Sequence, residues 1–237
     1  MDIINNFCTD LFLVAVRPIW DHYSIKEDME DYWRDEFNTK ESAILAIENI
    51  HTSPYDYYGG PLRLLAIKYK NDRDVMAKIL EKNGECLKYA SSSIRKDKEL
   101  CKIAYGENGY AFNYFSNSLK YDREFILELV RINAYSFEHF PKRMRDDKEI
   151  CLYCVDYDSF TNFQHVSKRL KLDKDIALAS IKNLPDEIRS MESKFINDKS
   201  FLKEAIELNA EVYRYLPEEM KNDEELRNLY LEKGGKI

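Results

Sequence analysis

Apolar residues recur along this chain in a fixed register against an aspartate. Asp72, Asp97, Asp122, Asp147, Asp173, Asp198 and Asp223 are separated by 25, 25, 25, 26, 25 and 25 residues. Taking each aspartate as position zero, position three is always apolar: Val75, Leu100, Phe125, Ile150, Ile176, Phe201 and Leu226. Position eight is apolar as well: Leu80, Tyr105, Val130, Val155, Ile181, Ile206 and Leu231. Positions four and seven are mostly apolar or small, and spacings of three, four, seven and eight make one stripe of an α-helix. A period in this range is the signature of a repeat architecture.

The polar residues set the limits of this helix. Position one is nearly always basic and position two usually acidic, as in Asp97-Lys98-Glu99 and Asp147-Lys148-Glu149. Aspartate is a good N-cap, and an acid in the first turn suits the positive end of the helix dipole. Asn83, Asn108, Asn133 and Asn209 fall at position eleven, each followed by Gly or Ala. Asn or Gly commonly ends a helix in a left-handed conformation, so the expectation is a first helix of about ten residues closed that way.

A second apolar set follows at positions fifteen, eighteen and twenty-two, for example Phe112, Phe115 and Leu119, or Phe137, Phe140 and Met144. The fourth repeat carries one extra residue, and its set (Phe163, Val166, Leu170) shifts by one to match. Pro141 and Pro217 follow position eighteen directly. Proline breaks a continuing helix but tolerates the first turn of a new one. Each repeat therefore reads as a helix, a short second helix and a single turn. Upstream, Leu62, Leu65 and Tyr69 fit a further repeat whose first helix begins near Thr39, with the turn-rich stretch 51–61 between its helices. The expected fold is an all-α solenoid of about seven to eight two-helix repeats over 39–237, continuous with an N-terminal cap, 1–38, as one domain.

Composition narrows function more than it defines it. The chain has 237 residues, 44% hydrophobic, enough for a sizeable core. Its net charge is −7, with both signs mixed along the sequence. A nucleic-acid binder normally shows a basic face, so direct nucleic-acid binding is not expected. The acidity leans towards basic protein surfaces. The strongest local asymmetry lies in 27–36, where Glu27, Asp28, Glu30, Asp31, Asp35 and Glu36 outnumber Lys26 and Arg34. This is either a solvated helix face or a docking patch. The apolar run 11–16 is too short to span a bilayer. Five cysteines, an odd number, point to a reducing compartment and a cytoplasmic location.

Few residues group as catalytic machinery. Cys151 and Cys154 form a C-x-x-C pair, but they occupy positions four and seven, and no second pair or nearby histidine completes four zinc ligands. Core packing is the expectation, and Cys86 and Cys101 also fall in or near core columns. No phosphate-binding loop, dinucleotide fingerprint or nucleophile elbow is present. No cofactor, metal or catalytic residue is expected.

Position seventeen carries an aromatic column: Tyr89, Tyr114, His139, His165 and Tyr215, with Leu64 and Ser190 as departures. Tyr110 and Tyr135 lie close by at position thirteen. On an α-helix, position seventeen points roughly 160° from the inward position fifteen. The column is then either an outer recognition surface or a set of rings stacked on the adjacent repeat.

The D-K-E-hydrophobic starts (Asp97 to Leu100, Asp147 to Ile150), the Asn-Gly turns (Asn83-Gly84, Asn108-Gly109) and the second-helix segments Leu87 to Ala90 and Ala111 to Phe115 carry a resemblance. These repeats resemble a family of short bacterial helical repeats, found also in some mobile elements, known only as a domain of unknown function. The likeness runs from about Thr39 to Leu231. It implies an all-helical array and supplies no catalytic residues.

The favoured reading is a non-enzymatic protein-binding repeat protein. In its sharper form it is a phage or mobile-element inhibitor, anti-CRISPR-like, that occludes a basic nucleic-acid-binding protein. Two alternatives stand beside it. One is RNA binding by tyrosine stacking along the array. The other is an enzyme with its site in the N-terminal cap or the loop 51–61, drawing on Cys8, Asp21, His22, Asp56 and the tyrosines.

Overall fold

The computed structural model describes residues 39–49, 60–157 and 162–236. The cap segment 1–38, with its acidic stretch, and most of the turn-rich stretch 51–61 lie outside them. The described residues hold helices and turns, with no strand among them. They fall in two compact units that divide between Phe115 and Ser116.

Each capping aspartate starts a helix. Asp72 Oδ1 accepts from the amides of Asp74 and Val75 at 3.0 and 3.1 Å. Asp97, Asp147, Asp173, Asp198 and Asp223 do the same in their own repeats. Six of the helices so begun are ten residues long: Arg73–Lys82, Lys98–Glu107, Arg123–Ile132, Lys148–Tyr157, Lys174–Asn183 and Lys199–Leu208. Upstream, Thr39 Oγ1 takes the cap role by accepting from Ser42 N–H at 3.1 Å, and Lys40–Asn49 follows.

Helix closure differs from the expectation. Asn83, Asn108, Asn133 and Asn209 have φ of −155°, −145°, −160° and −150°, in the extended region. Gly234 is the only positive-φ residue described. The asparagines work forwards: Oδ1 of Asn83, Asn108 and Asn209 accepts from the amide two residues on, and Asn83 and Asn108 thereby cap the next helix. One residue thus ends one helix and begins another. Gly84 is required by proximity rather than by φ. A Cβ there would lie 2.1 Å from the Ala104 carbonyl oxygen of the next repeat.

The second helix is mostly a tight 3₁₀ turn, as in Gly84–Tyr89, Gly109–Tyr114 and Pro185–Ser190. A third single turn carries position twenty-two, as in Ile94–Lys96, Met144–Asp146 and Glu218–Lys221. Pro217 stands just before its turn, and its carbonyl accepts from Met220 and Lys221. Positions three, fifteen and eighteen are buried in every repeat from Asp72 to Asp198. All four described cysteines are buried and free. Burial pushes the Cys101 and Cys151 thiols up to about 12, so they pack as small hydrophobes, and Cys151 Sγ donates to the Arg145 carbonyl.

The last helix, Glu224–Glu232, departs from the register. Leu231, at position eight, is 43% exposed. Tyr230, at position seven, is inward as position seven is in the earlier repeats, and stacks on Tyr213 with ring centroids 4.5 Å apart. Gly234 then adopts φ +86°, its N–H donating to Leu231 and that of Gly235 to Tyr230, a Schellman closure.

Candidate functional site

The acidic and basic residues beside each cap connect repeats as well as starting helices. Position one of one repeat reaches the capping aspartate of the next. Arg73 Nε lies 2.8 Å from Asp97, Arg123 Nε 2.7 Å from Asp147, Lys148 Nζ 2.9 Å from Asp173 and Lys199 Nζ 2.8 Å from Asp223. The position-two acid shares the same cation: Glu149 with Arg123, Asp175 with Lys148, Glu225 with Lys199. Where position two is Ser200, no such acid is present, and Lys174 turns to Glu204 instead. This charge lattice is structural.

Position seventeen belongs to a second inter-repeat ladder. In a 3₁₀ turn each residue advances 120°, so positions fifteen and eighteen eclipse and position seventeen swings to the flank. The α-helical angle expected from sequence does not apply to Tyr89, Tyr114, His139 and His165, which lie in 3₁₀ turns, whereas Tyr215 lies in the α-helical turn Val212–Tyr215. The five rings are half-buried. Three of them, Tyr89, His165 and Tyr215, meet position sixteen of the preceding repeat. Arg63 lies over the Tyr89 ring at 5.9 Å and Arg189 over the Tyr215 ring at 4.8 Å. Lys88 Nζ lies 5.1 Å from the ring centroid of Tyr89, in its own repeat. Where the ring is His165, position sixteen is an acid, and Glu138 Oε2 lies 3.5 Å from His165 Nε2. A cation faces Tyr89 and Tyr215, as cation–π attraction favours, and a carboxylate faces the His165 imidazole. Glu138 Oε1 also lies 3.2 Å from Nε2 of the adjacent His139. Burial lowers the His165 pKa from its ordinary value; Glu138 opposes this, while Arg145 and Lys171 add to it.

The position-thirteen tyrosines are presented to solvent. Tyr110 is 56% exposed and Tyr135 68%. Within the second compact unit, Tyr135 meets Tyr157 edge to face, with centroids 5.2 Å apart and planes at 84°. Tyr157 is itself 48% exposed and Tyr153 42%. Arg131 lies over the Tyr153 ring at 5.6 Å. Ile132, at the end of the Asp122 helix, is also exposed. These residues make the most aromatic exposed group described. Tyr153 and Tyr157 escape a search for columns because they sit at positions six and ten. Residues there are Lys78 and Lys82 in the Asp72 repeat and Glu204 and Leu208 in the Asp198 repeat. Neither position is a consistent column, since Ile103 and Leu229 also stand at six and Ile132 and Leu208 at ten, so periodicity gives no signal for them. Glu27, Asp28, Glu30, Asp31, Asp35 and Glu36 lie outside the described residues. Among the described residues, no group of three or more His, Cys, Asp and Glu is placed to hold a metal ion, and no helix is long and apolar enough to cross a membrane.

Repeat-on-repeat stacking, a capping aspartate every 25 residues and a bridging cation define the chain as an all-helical tandem-repeat protein. It belongs to the family described as domain of unknown function (DUF4116), whose model matches residues 72–120, 122–171, 147–196 and 198–237. Each match begins at a capping aspartate, and the first three span two repeats, so the family's unit is a pair of the repeats described here. No curated protein and no solved structure matches the chain.

Proposed function

We propose that this is a non-enzymatic protein-binding repeat protein, and that its partner is held on the exposed aromatic group around Tyr135 and Tyr157. The observation that carries this is the edge-to-face pair itself. The two rings order each other while both stay largely in water. A pre-ordered aromatic surface binds at low entropic cost, and Tyr and Arg are the residues in which binding energy concentrates. Tyr153 under Arg131 widens the same surface. The net charge of −7 favours a basic partner. A nucleic-acid-binding protein whose channel is occluded, as by an anti-CRISPR-like inhibitor in the cytoplasm, fits that charge.

The test is affinity capture from cells of the source organism after nuclease treatment. Wild type is run beside a Tyr135→Ala/Tyr157→Ala variant shown to be folded by circular dichroism. The expected result is a near-stoichiometric protein captured by wild type and lost from the variant. Capture that needs nucleic acid, or that is unchanged in the variant, overturns the reading.

A further inference from the structure

The ladder at positions sixteen and seventeen lacks a ring at one interior rung. In the Asp173 repeat, position seventeen is Ser190, while the rungs on either side are His165 and Tyr215. The side chain that would face a ring there is Gln164, at position sixteen of the preceding repeat. A hollow of about 210 Å³ lies at this point, lined by Gln164 and Ser190 together with Phe163, Met191 and Lys171. Its base is apolar, since Phe163 and Met191 are 4% and 9% exposed. Two carboxylates, Glu187 and Glu192, also line it.

The walls are held in place. Ser190 Oγ lies 2.9 Å from the Glu187 carbonyl and 2.7 Å from Glu187 Oε2. Lys171 Nζ donates to the Gln164 carbonyl at 2.9 Å and sits 5.4 Å from the Phe163 ring centroid. The Lys171 charge is thus engaged with the wall.

We infer that this hollow is an acceptor site for one aromatic side chain of a partner protein, a Tyr or Phe flanked by Arg or Lys. The volume fits: an apolar cavity of roughly 150 Å³ holds benzene. The register fits, because an inserted ring occupies the level where other repeats place their own. The charge fits, because Glu187 and Glu192 complement basic flanks. Burying one aromatic anchor in a pre-formed pocket, ringed by polar contacts, is the usual form of a binding hot spot. The inference rests on the protein-binding reading but names a different set of residues.

The full chain, labelled at methionine methyls, is titrated with short peptides while the Met191 signal, assigned with Met191→Leu, is followed. The peptides are Arg-Gly-Tyr-Gly-Arg, its alanine counterpart Arg-Gly-Ala-Gly-Arg, and the acid-flanked Glu-Gly-Tyr-Gly-Glu. The expected result is a saturable shift with the first, none with the second, and at least fivefold weaker binding of the third. Ser190→Tyr, which supplies the missing ring from within, is expected to abolish the shift and raise the melting temperature. Tyr135→Ala/Tyr157→Ala is expected to bind the peptide as wild type does, so loss of the partner surface and loss of this site read out separately. An unmoved Met191 signal with the tyrosine peptide, or an equal shift with the alanine peptide, overturns the site. Both comparisons use wild type alone, so they stand even if Ser190→Tyr does not fold. A folded Ser190→Tyr that binds as wild type also overturns it.

Discussion

Arg123 grips both oxygens of Asp147, a residue of the following repeat. Nε lies 2.7 Å from Oδ2 and Nη2 3.2 Å from Oδ1. The same Oδ1 accepts the amides of Glu149 and Ile150 at 3.1 and 3.2 Å. Asp147 therefore starts its own helix and receives the preceding repeat. Asp147→Ala is expected to cost roughly 1 kcal/mol for the lost cap, together with the inter-repeat link. Asp147→Asn keeps a capping oxygen and loses the charge, so it is expected to cost less. Urea unfolding midpoints of the two variants separate the roles. If asparagine costs as much as alanine, capping is not what this residue contributes.

Acid stability follows from the same lattice. Burial acts to raise the carboxyls of Asp72, Asp97, Asp147 and Asp173, but the cation of the preceding repeat and the cap amides outweigh it, and each is held below its ordinary value. At Asp223 the leading cause is Lys199 itself. A carboxyl lowered on folding stabilises above its unfolded pKa, near 3.9, and loses that contribution as pH falls through the folded value. His165, lowered by burial, also favours folding above its unfolded pKa, near 6.5. The melting temperature is expected to be level from pH 8 to about 7, to dip slightly through about 6.5, and to fall steeply below about 4. His165→Gln is expected to remove only the first dip. A steep fall already complete at pH 5 would contradict the carboxylate account.

The repeat, its caps and its core columns were legible because each is local. Asp72 must satisfy amides two and three residues away, and Val75 must face inwards at a fixed offset. The roles that depend on the neighbouring repeat were hidden. Position-one cations read as helix chemistry, yet Arg73 spends its charge on Asp97. The position-seventeen rings read as outward on an α-helical turn, and 3₁₀ geometry moves Tyr89, Tyr114, His139 and His165 to the flank. The asparagines at position eleven read as left-handed closures, whereas Asn83 caps the next helix from an extended backbone. Ser190 matters by departing from its column, whereas Tyr157 stands at position ten, which forms no column at all.

Gly84 gives a backbone test of repeat packing. Its equivalents Ala134 and Ala210 carry a methyl, but at Gly84 an added Cβ would come within 2.1 Å of the Ala104 carbonyl oxygen. Backbone cannot step aside as a flexible side chain does, so the neighbouring helix must shift. Gly84→Ala is expected to destabilise by about 1–3 kcal/mol, the usual cost of overpacking. Thermal unfolding measures this directly. A neutral result would mean that the two helices do not approach this closely in solution.

Glu107 makes the opposite prediction for a charged group. Its carboxylate accepts the Gly84 N–H from the end of the next repeat's first helix. Burial raises its pKa from the ordinary value; the Gly84 hydrogen bond opposes the rise and Glu85 adds to it. A carboxyl raised on folding favours the folded state below its unfolded pKa, near 4.3, and loses that contribution as pH rises through the folded value. Glu107 is exposed overall, so at neutral pH this partly desolvated charge is a small cost. Glutamine keeps an acceptor for Gly84 and has no charge to bury. Glu107→Gln is expected to raise the melting temperature at pH 7 and to leave it unchanged near pH 4, where the native carboxyl is protonated. Glu107→Ala is expected to lower it at both, because the Gly84 N–H then loses its acceptor. Equal shifts for Gln at the two pH values would show that charge burial is not the cause.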